Sequence, residues 1–164
     1  MTAPSVPHNE TFNTLARQGF VLLEALQAQL DIEFAALQQR NLQDLQASTE
    51  TKQGLLEQFS DLNAQRRQLL GELGYSATPE GIEQWFAALP AELREDTVAR
   101  WAELQRGLEQ VSRLNRRNEQ VLRRNNRNND QLLALLRGQT QRHTLYDASG
   151  SKGQASAQNR LGKA

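Results

Sequence analysis

Cysteine is absent from the 164 residues. That excludes a disulfide scaffold, thiol catalysis and thiolate metal ligation, and it fits a reducing compartment. His8 and His143 are the two histidines, too few for a zinc site. No window approaches the roughly 20 consecutive apolar residues of a membrane span. The N-terminal MTAPSVPHNE has neither basic residues nor the apolar run of a secretion signal, so a cytoplasmic protein is expected. Aromatic residues make up 5% and hydrophobic residues 38%, which is little for a chain of this length, and a large private core is not expected. Enzyme motifs are missing too: there is no glycine-rich phosphate loop, no Ser/His/Asp arrangement and no metal-ligand cluster. The acidic group Glu92, Glu95 and Asp96 stands at an expected helix start, where compensation of the helix dipole accounts for it. Neither catalysis nor a cofactor is expected.

Proline is rare as well: of the four, two lie within the first seven residues, so long stretches are free to run as helix. Leu, Gln, Glu, Arg and Ala, all good helix formers, dominate the composition. Leu23, Leu26, Leu30, Phe34 and Leu37 recur at helical spacing. A second stripe, Leu45, Ser48, Lys52, Leu55, Phe59, Leu62, Arg66, Leu69 and Leu73, steps strictly by three and four. A phase slip near Arg40 and Asn41 separates the two, like a stutter in a coiled coil. A helix over about residues 10–73 would be far longer than a small core can cover, so it must pack lengthwise on another helix. Gly74 is the expected C-cap. Thr78, Pro79 and Glu80 read as N-cap, first helical position and dipole-matched acid of a short helix over about 79–89. Ile82, Trp85, Phe86 and Leu89 give that helix one apolar face, read as core, before Pro90 interrupts it.

A third stripe follows, over a helix expected at about 91–137: Trp101, Leu104, Leu108, Val111, Asn115, Asn118, Leu122, Asn125, Asn129, Leu132 and Leu136. The expected fold is all-α, two long antiparallel helices joined by a short helical corner with coiled-coil-like packing. Residues 1–9 are expected to be flexible, 10–146 to form one helical domain, and 147–164 to be a disordered tail of small polar residues.

The zero net charge conceals an asymmetry. Residues 1–99 hold 14 acidic against 6 basic side chains and residues 100–164 hold 5 against 13, giving −8 and +8. Antiparallel helices from the two halves would match in this way, and a basic half could also meet nucleic acid. Within RLNRRNEQVLRRNNRNND (113–130) there are six arginines and six asparagines. Asn115, Asn118, Asn125 and Asn129 fall on the stripe where a heptad would place leucine. The six arginines fall opposite, on what reads as an outer face. An asparagine both donates and accepts, so an amide-lined seam can satisfy the groups of a docking segment without demanding one side chain. Leu114, Val121, Leu122, Leu132, Leu133 and Leu136 would supply apolar anchors. The alternatives are a self-associating coiled-coil structural protein using the same seam, and an arginine-rich RNA-binding helix. Glu119 and Asp130 dilute the basic stripe and no aromatic residue is interleaved for base stacking, so nucleic acid is not the expected partner.

The chain also resembles the FlgN-type flagellar export chaperones. In LDIEFAALQQRNLQDLQASTETKQGLLEQFSDLNAQRRQLLGELG the arrangement of Glu33, Leu37, Asn41, Leu45, Lys52, Leu55 and Leu56 is similar to the family's. Asn115 and Asn118 followed by Val121 and Leu122 resemble its paired-asparagine motif, and LLALL and LYDASG resemble its apolar run and Tyr-containing end. The family tends to carry glycine after the second asparagine, where this chain has Glu119. The resemblance implies a cytoplasmic, non-enzymatic chaperone. It would bind the C-terminal segments of hook-filament junction proteins, the hook-associated proteins, prevent their premature assembly and deliver them to the flagellar type III export apparatus. Asn115, Asn118, Val121, Leu122 and Tyr146 are the client-binding residues the resemblance implies. The seam adds Asn125, Asn129, Leu132, Leu133 and Leu136.

Overall fold

In the computed structural model, residues 5–136 are described, and among them every regular element is helical: α1 (Val6–Gln39), α2 (Leu42–Glu72), α3 (Pro79–Ala88) and α4 (Ala91–Leu136). The chain divides into two units, residues 1–122 and 123–164. The first holds α1, α2, α3 and α4 as far as Leu122. The described part of the second is the helical stretch 123–136. The tail expected at 147–164 lies outside the described residues.

The architecture is all-α, as the composition dictates, but the first long helix is two helices. Arg40 takes the left-handed conformation, φ 55° and ψ 34°, and the Asn41 amide donates back to the Ala36 carbonyl at 2.9 Å. Asn41 then caps α2, its Oδ1 accepting from the Asp44 amide at 3.1 Å while its Nδ2 donates to Asp44 Oδ2 at 2.7 Å. This C-cap followed at once by an N-cap turns the chain back on itself, so α1 and α2 form an antiparallel hairpin. The phase slip in the sequence marks a turn, not a stutter. Within the first unit α4 runs antiparallel to α2 and parallel to α1: Thr97 meets Asn9 and Asn13 of α1, and Asn118 meets Leu30 and Glu33 further along it. The expected helix pair is therefore a bundle of three long helices with α3 as the corner.

Residues expected to be flexible are also in use. α1 begins at Val6, with Pro7 in its first turn and the Ser5 hydroxyl 2.9 Å from His8 Nδ1. Asn9 is buried, its Oδ1 accepting from the Thr97 hydroxyl at 2.8 Å. Interior hydrogen bonding of this kind fixes the first turn of the helix.

The second stripe behaves as its spacing predicts: from Leu45 to Leu73 every member is buried or half-buried. Its polar members have partners. Ser48 donates to the Gln29 carbonyl at 3.0 Å, Lys52 pairs with Glu33, and Arg66 lies over the Trp101 ring. Gly74, at φ 84°, ends α2 in the left-handed conformation that glycine adopts without a Cβ penalty. Thr78 caps α3, accepting from the Gly81 amide at 3.2 Å. A Cβ on Gly81 would sit 2.1 Å from the Ser76 carbonyl oxygen, so only glycine lets the α2–α3 turn close on α3. Ile82, Trp85 and Leu89 of α3 are buried with Phe12, Leu70, Leu73 and Tyr75, and Phe86 packs against them. Phe12 is the aromatic centre, 5.7 Å from Trp85 and 5.8 Å from Trp101 between ring centroids. A second cluster, Leu23, Leu26 and Leu104, continues the core between α1 and α4.

Candidate functional site

The interior track of α4 differs from the stripe read off the sequence. Thr97, Trp101, Leu104, Gly107, Val111, Leu114, Asn118 and Val121 are buried or half-buried, whereas Leu108, Asn115 and Leu122 are exposed. The two tracks share positions 101, 104, 111 and 118 and differ in which neighbour joins them. A helix stripe is wider than one heptad line; on the buried track Gly107 lets α4 come close to Leu23 of α1, where a Cβ would lie 3.1 Å from Leu23 Cδ1, and Leu114 takes the interior position that the other track would give to the Asn115 amide.

Asn118 is spent inside the bundle. It is 3% exposed. Its two amide hydrogens go to the Leu30 carbonyl at 2.7 Å and to Glu33 Oε2 at 2.8 Å, and its oxygen accepts from Arg117 Nε at 3.1 Å. Glu33 Oε1 takes Lys52 Nζ at 2.6 Å. Glu33 of α1, Lys52 of α2 and Asn118 of α4 thus form one polar layer across three helices, with hydrogen-bonding capacity closely matched. This corrects the expectation that Asn118 faces a client. The sequence signal for the layer was an ammonium, Lys52, set on an apolar stripe; Glu33 stands next to Phe34, the residue read as the stripe member.

Arg117 departs from the expected outer arginine face. Its guanidinium lies over the Phe34 ring, 4.0 Å from the centroid, and Nη2 reaches Asp31 Oδ1 at 2.9 Å and the Leu30 carbonyl at 3.3 Å. Arg113, Arg116, Arg123, Arg124 and Arg127 are exposed. Arg113 binds Gln110 of its own helix.

The other predicted site residues fall as follows. Asn115 is exposed and donates to Glu119 of its own helix at 3.3 Å. Val121 is half-buried and Leu122 is 44% exposed. In the second unit, Asn125 is half-buried and Asn129 exposed, while Leu132 and Leu133 are 53% and 47% exposed. Leu135, absent from the predicted set, is 57% exposed. The Leu136 side chain and Tyr146 lie outside the described residues. Three leucines within four residues of one helix are open; Leu132 and Leu135, three apart, share a face, with Leu133 to one side, and a solvated helix does not need them for its own folding. Among the described residues no group of His, Cys, Asp and Glu is placed to hold a metal, and no helix is long and apolar enough to cross a membrane.

Comparison with protein-family models gives a match to the FlgN protein family over residues 8–154, most of the chain. The chain belongs to the FlgN family. Comparison with curated proteins and with solved structures gives no match. The matched span takes in α2, α3, α4 and all but the first two residues of α1, so FlgN membership covers both the polar layer and the leucine patch. It points to a flagellar export chaperone with flagellar protein partners. Several residues that carried the resemblance have structural work in this FlgN chain: Asn41 caps α2, and Glu33, Lys52 and Asn118 join the three long helices.

Proposed function

We propose that this FlgN-family chain is a cytoplasmic, non-enzymatic chaperone. On this reading it binds the C-terminal segments of hook-filament junction proteins, keeps them from assembling prematurely and hands them to the flagellar type III export apparatus. The observation that carries this reading is the exposed leucine patch, Leu132, Leu133 and Leu135, inside the stretch matched to the family. A client segment that polymerises through an apolar helical face needs an apolar face to cover it, and an exposed leucine row on a helix offers one. Asn129 beside the patch supplies a group that can donate and accept. Leu122 and Asn115, open in the first unit, are included in the proposal as residues each accessible to a partner, and Val121 and Asn125 as half-buried neighbours.

The test is direct mixing. The purified chain and a purified hook-filament junction protein are run together on size exclusion, with the client intact and with its C-terminal segment removed. A complex that forms with the intact client and is lost with the truncated one supports the reading. A chain that elutes only as a self-associated species, whatever the client, supports the coiled-coil structural alternative instead.

A further inference from the structure

The first unit carries an apolar groove between α2, α3 and α4, floored by the core residues Ile82 and Leu104 and separate in sequence from the proposed client patch. Its volume is about 510 Å³, and Phe59, Arg66, Phe86, Val98, Trp101 and Leu108 are among its lining residues. Val98 and Leu108 are 40% and 50% exposed. Leu108 belongs to the heptad stripe legible in the sequence, yet the bundle leaves it uncovered because Gly107 takes the interior position. Arg66 sets the chemistry of the groove. Its guanidinium lies over the Trp101 ring, 4.7 Å from the centroid. Its Nε is buried with no hydrogen-bond partner, and among the described residues no carboxylate forms an ion pair with it. Glu83 lines the same groove but is exposed and does not reach it. Burial, and secondarily the adjacent Arg67, push Arg66 below the ordinary arginine range. A guanidinium in this setting lacks the planar carboxylate its donors match.

We propose that this groove docks an amphipathic helix of a partner protein whose apolar face carries one Asp or Glu, the carboxylate seating on Arg66 and the aliphatic neighbours on Trp101, Phe86 and Leu108. A helix is the form that fits, because the described residues offer no strand edge to satisfy the backbone of an extended peptide. The surface lies apart in sequence from residues 132–135, and the inference does not rest on the client reading.

The test uses the full chain and a display library of amphipathic helices with randomised apolar faces. The enriched helices should carry Asp or Glu at one apolar-face position, and replacing it with the matching amide should weaken binding about tenfold. Arg66→Gln should abolish that difference, and Leu108→Glu should abolish binding. Leu108 is half exposed, so its variant keeps the fold and decides the matter even if Arg66→Gln loses helicity. Enriched helices without a carboxylate, unchanged binding to Leu108→Glu, or no enrichment at all would overturn the proposal. So would a sedimenting dimer that Leu108→Glu converts to monomer, which would assign the groove to a second copy.

Discussion

Asn118 on α4 donates to the Glu33 carboxylate on α1 at 2.8 Å, and Lys52 on α2 takes the other oxygen of that carboxylate at 2.6 Å. The contact is polar where a bundle of this size would ordinarily place leucine. An apolar layer tolerates small slips between helices, whereas this one is satisfied in one register only, so it fixes how α4 lies along the α1–α2 hairpin.

Removing the amide takes a donor from both of its acceptors. Asn118→Ala should lower unfolding free energy by about 1–3 kcal/mol, since one Glu33 oxygen loses its donor in the interior and the Leu30 carbonyl keeps only the longer side-chain bond from Arg117 at 3.3 Å. Asn118→Asp should cost more, because it sets a second carboxylate against Glu33. Urea unfolding followed by far-ultraviolet circular dichroism measures both.

Lys52 should matter chiefly through the charge it neutralises. Lys52→Met leaves Glu33 uncompensated and should cost about 3 kcal/mol. Adding Glu33→Gln, which is neutral and still accepts from Asn118, should recover most of that loss. A double-mutant cycle in urea isolates the coupling, and additive effects would show that the ion pair contributes nothing.

The α1–α2 turn holds a left-handed arginine. Arg40→Gly should stabilise the chain by about 1 kcal/mol, because glycine adopts that conformation without the clash of a Cβ against the backbone. The thermal midpoint should rise accordingly, and a fall would mean that the Arg40 side chain makes a contribution of its own.

Much of the fold was legible because apolar spacing and capping chemistry are local. The stripe from Leu45 to Leu73, the left-handed Gly74 and the Thr78–Pro79 start of α3 all stand where the spacing puts them. The turn at Arg40 was not, because left-handed backbone at a residue other than glycine carries no compositional mark. The candidate site was half legible. That asparagines cluster on α4 is plain in the sequence, but which way each points depends on a choice between adjacent tracks 107/114/121 and 108/115/122. Packing against α1 and α2 makes that choice. Asn118 reads as part of a client-facing seam until its acceptor is found 85 residues away on α1. Arg117 reads as outer surface for the same reason, since Phe34 and Asp31, which hold it, are remote in sequence.

Calorimetric titration of a hook-filament junction protein's C-terminal segment into the chain and into Leu132→Glu/Leu133→Glu asks whether the exposed leucines of α4 hold the client. Both leucines are about half exposed, so the double variant should keep its helicity and stay within about 0.5 kcal/mol of the parent in stability. Its affinity for the segment should fall at least about tenfold, as burying two carboxylates against an apolar client face requires. Equal affinity for parent and variant, with both fully helical, would place client binding elsewhere on the chain.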